Sequence, residues 1–87
     1  MESEFIRQLD ETVLEMKTLQ ERLVCQTGRL IIPNLTTDDL LQPNDYPELE
    51  HSAYFRYEEG VLAGIMSMEA AINALKRDVL SSPKIVK

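Results

Sequence analysis

The placement of proline limits the fold of this chain more than any other feature. Three of its four prolines, Pro33, Pro43 and Pro47, fall in the middle of the 87 residues. Proline inside a helix removes a backbone donor and clashes with the preceding turn, so no single helix can cross this region. The long stretches on either side have no such break. They predict a single all-α domain, an antiparallel helical hairpin of two long helices joined by a packed proline-containing connection, which completes a bundle by oligomerisation.

The first long helix is predicted over residues 3–27. Ser3 is a suitable N-cap, and Gly28 is a plausible C′ residue that would stop the helix. Apolar residues recur along this stretch at three- and four-residue spacing, which is typical of one buried face. We therefore expect the core stripe of this helix to consist of Phe5, Leu9, Val13, Met16, Leu19 and Leu23.

The connection, residues 28–44, is too apolar to be a solvated spacer. Six large apolar residues lie in it: Leu30, Ile31, Ile32, Leu35, Leu40 and Leu41. A segment with this content is expected to pack back onto the helices. Thr36 and Asp39 have the spacing of a capping pair, which predicts a short helical turn over residues 37–41, closed by Pro43.

The second long helix is predicted over residues 45–81, with Asp45 as its N-cap. Ser52 is a later alternative N-cap for the same helix. The residue before a proline avoids the helical conformation, so Pro83 sets the end of the helix. Residues 82–87 are then expected to form a frayed tail.

The second helix carries small residues along one side. Large apolar residues at heptad spacing predict its main seam: Tyr54, Val61, Ile65, Met68, Ile72, Leu75 and Val79. Beside the seam runs a stripe of small residues: Gly60, Gly64, Ser67, Ala71 and Ala74. A glycine inside a helix costs about 1 kcal/mol relative to alanine, so a compensating close approach of another backbone is expected. That backbone belongs either to the hairpin's own first helix or connection, or to a second protein chain; a hinge at the two glycines is a further alternative.

Aromatic residues cluster at the start of this helix. Tyr54, Phe55 and Tyr57 surround Arg56, a composition typical of interface hot spots, although aromatic residues also close small cores. With the small-residue stripe, they define the predicted partner-binding surface: Tyr54, Tyr57, Gly60, Val61, Gly64, Ser67, Met68, Ala71, Ala74 and Leu75.

Catalytic chemistry has few candidates in this chain. Cys25 and His51 are its only cysteine and histidine, and a thiolate near a helix C-terminus is disfavoured by the helix dipole. The acidic residues around the connection lack the spacing of a calcium-binding loop. We therefore predict no catalytic residue, no cofactor and no metal site.

One charged residue falls on the predicted seam of the second helix. Glu58 would need a partner if it were buried, because an unpaired buried carboxylate is costly. Candidate partners are Lys17 and Arg22 of the first helix and Arg56 of another chain. The alternative is that the seam drifts locally and that Glu58 is exposed.

Composition narrows the classes of partner. The formal charge is −6 and the basic residues are scattered, which argues against nucleic acid or an anionic membrane surface. No stretch approaches the run of about 20 apolar residues that a membrane span needs, and no targeting signal is visible. A lone cysteine cannot form an internal disulfide, so a cytoplasmic location is expected.

The layout of two long helices and a connection is similar to that of the WxG-type secreted effectors and the co-chaperones of bacterial type III secretion. The similarity is architectural, because the WxG turn needs a tryptophan and this chain has none. We predict a non-enzymatic protein–protein interaction module, a small acidic adaptor, co-chaperone or assembly subunit that binds a protein partner or a second copy of itself. The alternatives are a regulatory subunit or inhibitor of an enzyme and, more remotely, a small thiol enzyme that uses Cys25.

Overall fold

A computed structural model describes residues 2–40, 42 and 45–81. Four helices follow one another in this part of the chain: α1 (Glu2–Ile31), α2 (Thr37–Leu40), α3 (Pro47–Glu50) and α4 (Ala53–Ser81). Helices α1 and α4 pack against each other in antiparallel directions, and the described residues include no strand. The predicted all-α helical hairpin is therefore confirmed.

Helix α1 continues four residues beyond its predicted end. Gly28 is buried inside the helix rather than at its C′ position, so its assignment as the stop is wrong. The helix ends at Ile31 because the next residue, Ile32, precedes Pro33 and is disfavoured in the helical conformation. The N–H of Ile32 still donates to the Gly28 carbonyl at 2.8 Å.

Helix α2 forms with the capping arrangement expected from the sequence. The backbone N–H of Asp39 donates to the Thr36 hydroxyl at 3.1 Å, and the N–H of Thr36 donates to the Asp39 carboxylate at 3.0 Å. These reciprocal bonds satisfy free donors at the start of the turn. The last residue of the predicted turn, Leu41, and the closing Pro43 lie outside the described residues.

The second long helix begins later than its main prediction. Asp45 is not its N-cap; the chain first forms the short helix α3 and breaks at His51. Helix α4 starts at Ala53, where the N–H of Phe55 donates to the Ser52 hydroxyl at 3.1 Å. Ser52 is thus the N-cap, as in the alternative start. Helix α4 reaches Ser81, while Pro83, the predicted end signal, and the predicted tail, residues 82–87, lie outside the described residues.

The hydrophobic core sits at the connection end of the hairpin. Its buried members are Val24, Leu35, Leu49 and Phe55, and partly buried apolar residues of the connection pack around them. The break before α4 lets Leu49 and Phe55 enter one cluster, where both are fully buried. The expectation that the connection packs onto the helices is therefore confirmed.

Beyond this core the molecule is a two-helix layer. The chain measures 55 × 20 × 20 Å with a radius of gyration of 17.3 Å, whereas a compact domain of this length has about 12 Å. Its accessible surface is 6530 Å², whereas a folded monomer of this mass has about 5200 Å². Much apolar surface therefore stays outside the hairpin core.

Candidate partner-binding face

Each long helix carries two seams at heptad spacing. The inward seam faces the other helix of the hairpin and consists of Ile6, Asp10, Val13, Lys17, Gln20, Val24, Thr27 and Ile31 in α1, and Phe55, Glu58, Leu62, Ile65, Glu69, Ile72 and Lys76 in α4. A second seam lies one residue earlier along both helices, at Phe5, Leu9, Thr12, Met16, Leu19 and Leu23 in α1, and Tyr54, Tyr57, Val61, Gly64, Met68, Ala71 and Leu75 in α4. One residue is a rotation of about 100°. Because the helices are antiparallel, this rotation carries both second seams to the same side of the hairpin, which we call the front face.

The inward seam combines apolar packing with three polar links. The Gln20 side-chain amide donates to the backbone carbonyl of Glu58 at 3.0 Å and to its carboxylate at 2.7 Å. Lys17 pairs with Glu69 at 3.1 Å. Lys76 pairs with Asp10 at 2.7 Å, so three polar links tie α1 to α4 along the hairpin.

These contacts correct the expected partners of Glu58. Glu58 is half-buried on the seam, but its partner is the neutral amide of Gln20 rather than a cation. Lys17 is engaged with Glu69, and Arg56 pairs with Glu59 of its own helix at 2.9 Å. In the described part of the chain no buried side-chain nitrogen or oxygen lacks a hydrogen bond.

The front face, by contrast, is uncharged and largely exposed. Its 13 positions include no Asp, Glu, Lys or Arg. Phe5 is 66% exposed, Tyr57 67% and Leu75 63%. The expected core stripe of α1 is therefore wrong for most of its members, since only Leu9 and Val13 are half-buried.

The predicted partner-binding residues lie together on this side of α4. Val61 and Ala74 are half-buried and the other eight are exposed. At Gly60 and Gly64, a Cβ atom would meet nothing within 4 Å. The interpretation in which α1 or the connection lies across the two glycines is therefore wrong. Phe55 instead closes the core, while Tyr54 and Tyr57 point away from it.

A shallow groove lies where the second seams of α1 and α4 meet on the front face. It has a volume of about 300 Å³ and is lined by Val13, Met16, Val61, Gly64, Ile65 and Met68. Its lining carries no charged side chain. The middle of the α1 seam and the middle of the α4 seam therefore form one continuous apolar surface.

Cys25 and His51 lie away from this groove. Cys25 is a half-buried free thiol beside Val24, Leu62 and Met66 in a separate groove. His51 is exposed at the break between α3 and α4. Within the described ranges, no three His, Cys, Asp or Glu side chains are placed to share a metal ion. None of the four helices combines the length and the apolarity that crossing a bilayer requires.

No protein-family model, curated protein or solved structure matches this chain.

The sequence predicts partner-binding residues on α4 and none on α1. Phe5, Met16, Leu19 and Leu23 form the most apolar stripe of α1, which by itself predicts that they belong to the core. A signal against that assignment is present in the same helix. The stripe one residue further on contains Lys17 and Gln20, the natural partners for Glu69 and Glu58 of α4, so charge pattern distinguishes the two seams where hydrophobicity alone does not.

Proposed function

We propose that this protein is a non-enzymatic protein–protein interaction module whose front face packs against helices of another chain. One observation carries the proposal: each long helix leaves an uncharged, mostly apolar seam in solvent on the same side of the hairpin. Burial of a large apolar side chain contributes about 1.5–3 kcal/mol, so covering several half-exposed ones gives a substantial driving force for association. Such an arrangement is typical of a surface that another protein covers.

Small residues extend this face toward the outer side of α4. Gly60, Ser67 and Ala74 follow one another there at the edge of the seam, which lets a second helix approach closely. A small acidic adaptor, co-chaperone or assembly subunit fits this design. A reducing cytoplasm suits its single free thiol, Cys25.

The test compares two substitutions that add the same side chain to α4. Gly64→Leu fills the front face, whereas Ala70→Leu adds leucine to an exposed position outside both seams. Cross-linking and capture with the wild-type chain should recover either a second copy or another protein. We expect Ala70→Leu to retain this association and Gly64→Leu to lose it while remaining helical by circular dichroism. Equal association by both variants, or none by the wild type, would contradict the proposal.

A further inference from the structure

We infer that the occupant of the front face is a second copy of this chain. The two copies are related by a two-fold axis that lies in the plane between their front faces, at right angles to the helices and level with the middle of the face. In this dimer α1 packs antiparallel to α1 of the partner, and α4 packs antiparallel to α4 of the partner. The inference rests on the proposed function and names the partner of that same surface. The dimer is a four-helix bundle in which every helix uses both of its seams.

Side-chain size on α4 is complementary to itself in this arrangement. An antiparallel pair centred between Gly64 and Met68 sets Gly64 opposite the partner's Met68. It also sets Val61 opposite the partner's Ala71. A small residue thus meets a large one in each of these layers, as interdigitated packing requires. The open space over Gly64 receives a methionine.

The outer edge of α4 runs beside the paired seams and carries Gly60, Ser67 and Ala74. No side chain on this edge is larger than a hydroxymethyl group. The two α4 helices can therefore approach closely without a steric conflict.

The α1 seam supplies large residues to its own antiparallel pair. With a centre between Met16 and Leu19, Met16 lies opposite the partner's Leu19. Phe5 at one end lies opposite the partner's Leu30 at the other, which explains why Leu30, 78% exposed, is apolar. The pairing therefore covers the exposed apolar residues of the front face from one end of α1 to the other.

Charge complementarity favours this orientation over the alternatives. Glu15 and Arg22 flank the α1 seam, are exposed, and form no ion pair within the part of the chain that the structure describes. They are seven residues apart on one helix, about 10.5 Å along its axis, and so cannot pair with each other in the same chain. In the antiparallel dimer Glu15 lies beside the partner's Arg22, and the symmetry makes the contact twice. Packing α1 against the partner's α4 would leave both charges opposite small uncharged residues.

One axis can serve both helices because the two centres lie at the same height. Met16, Gly64 and Met68 line one groove. Lys17 and Glu69, next to the two centres, are bonded at 3.1 Å. A two-fold axis through this groove therefore relates α1 to α1 and α4 to α4 at once.

The exposed area of the face is close to the area that a specific dimer interface buries. Eight of its large side chains are between 37% and 67% exposed: Phe5, Met16, Leu19, Leu23, Tyr54, Tyr57, Met68 and Leu75. At about 70–100 Å² each, they hold roughly 600–800 Å² of surface that a partner can cover. A specific interface buries about 800 Å² per partner. The front face thus approaches that area before its smaller residues are counted.

The first experiment reverses charges across the axis and measures dimer dissociation by light scattering and analytical ultracentrifugation. Glu15→Arg places two cations side by side at both contacts, and we expect the dimer to weaken roughly 3- to 30-fold. The double variant Glu15→Arg, Arg22→Glu restores opposite charges in swapped positions, and we expect near-wild-type affinity. A double variant as weak as the single one would overturn the arrangement.

The second experiment locates the axis by cross-linking. In a Cys25→Ser background, an equimolar mixture of Gly64→Cys and Met68→Cys chains should form a disulfide-linked dimer on mild oxidation, because residue 64 lies opposite the partner's residue 68. A mixture of Ala70→Cys and Met68→Cys chains is the matched control and should react poorly, since Ala70 is exposed outside both seams. Equal reaction in the two mixtures, or no reaction between residues 64 and 68, would contradict the antiparallel α4 pair.

The outcomes separate this inference from the function on which it rests. A purified wild-type chain that stays monomeric at all concentrations overturns the second copy as the occupant. If that monomer still captures another protein through a face that Gly64→Leu disables, the proposed binding function stands. If it captures nothing, both fail.

Discussion

Gly28 of α1 and Gly64 of α4 are both glycines inside long helices, yet their surroundings are opposite. A Cβ atom at Gly28 would lie 2.9 Å from a δ-methyl of Leu35, 3.0 Å from a δ-methyl of Leu40 and 3.4 Å from the ring of Phe55. At Gly64 it would meet nothing within 4 Å. At the connection end, then, the missing side chain is matched by close packing within the chain. At Gly64 on the front face, the loss of helix propensity that glycine causes is not compensated by any packing inside the hairpin.

The contrast shows that the hydrophobic core is closed at the connection end, whereas the apolar residues of the front face stay exposed. The connection folds over Gly28 and closes the core. Nothing in the described chain folds over Gly64, although its flanking side chains Met16 and Met68 are apolar and more than half exposed. The following experiments act on these two regions.

The largest expected effect is at the closed end, where Phe55→Ala removes a fully buried ring. We expect the free energy of unfolding to fall by about 3–5 kcal/mol, a large part of the total for a domain of this size. Urea denaturation followed by circular dichroism measures it. Met68→Ala is the control from the open face, made like Phe55→Ala in the Gly64→Leu background, which is expected not to associate. A loss at Met68 as large as at Phe55 would show that the face belongs to the monomer core.

The direct comparison of the glycines uses the same new side chain at both. Gly28→Leu places leucine against Leu35 and Leu40, and overpacking should cost about 2 kcal/mol or more even after the gain in helix propensity. Gly64→Leu has open space and should stabilise the isolated hairpin by about 0.5–1 kcal/mol. The midpoints of thermal unfolding at low protein concentration measure the two changes in stability. Changes of the same sign at both positions would remove the distinction between closed and open regions.

A smaller effect is expected from the polar link between the helices. Gln20→Ala leaves the half-buried Glu58 without its amide donor, which should cost about 1–3 kcal/mol. Gln26→Ala removes the same side chain from an exposed position of α1 and serves as the control. Equal unfolding midpoints for these two variants would mean that the hydrogen bonds of Gln20 contribute no stability.

The smallest effect concerns pH and the cap of α2. The backbone N–H of Thr36 and then its side chain hold the pKa of Asp39 below its ordinary value of 3.8. A carboxyl with a lowered folded-state pKa stabilises the fold above its unfolded pKa, and this stability disappears as pH falls through the folded value. We expect part of the loss of stability below about pH 4 to vanish in Asp39→Asn. Asp38→Asn, which removes the same charge from the same turn, should keep the wild-type dependence on pH.

The sequence allowed some elements to be predicted from local physics. Pro33 ends the first helix, and Thr36 and Asp39 cap a short helical turn. Both are predictable because these effects act over only a few residues. The two candidate caps of the second helix, Asp45 and Ser52, could not be ranked locally. The choice depends on whether Leu49 and Phe55 reach the same core, which involves residues far apart in the chain.

The candidate site was only half predictable for a similar reason. The small-residue side of α4 is visible as a sequence pattern, but the contribution of α1 to the front face is not. Phe5 and Leu19 lie one residue before positions that face α4, and one residue is enough to turn a helix position from the hairpin interface to the solvent. Which seam of α1 faces α4 depends on the ion pair between Lys17 and Glu69 and on the hydrogen bond between Gln20 and Glu58.

The sequence by itself determined that this chain forms two long helices, where proline separates them, and that each helix has an apolar stripe, since propensity, proline geometry and periodicity are local. Tertiary structure alone decided which stripe faces inward. The three polar pairs between α1 and α4 rotate the apolar stripes to one side, and the connection closes over Gly28 rather than Gly64. Both outcomes follow from which distant side chains can satisfy one another's hydrogen bonds and volumes, and those relations exist only once the helices are packed.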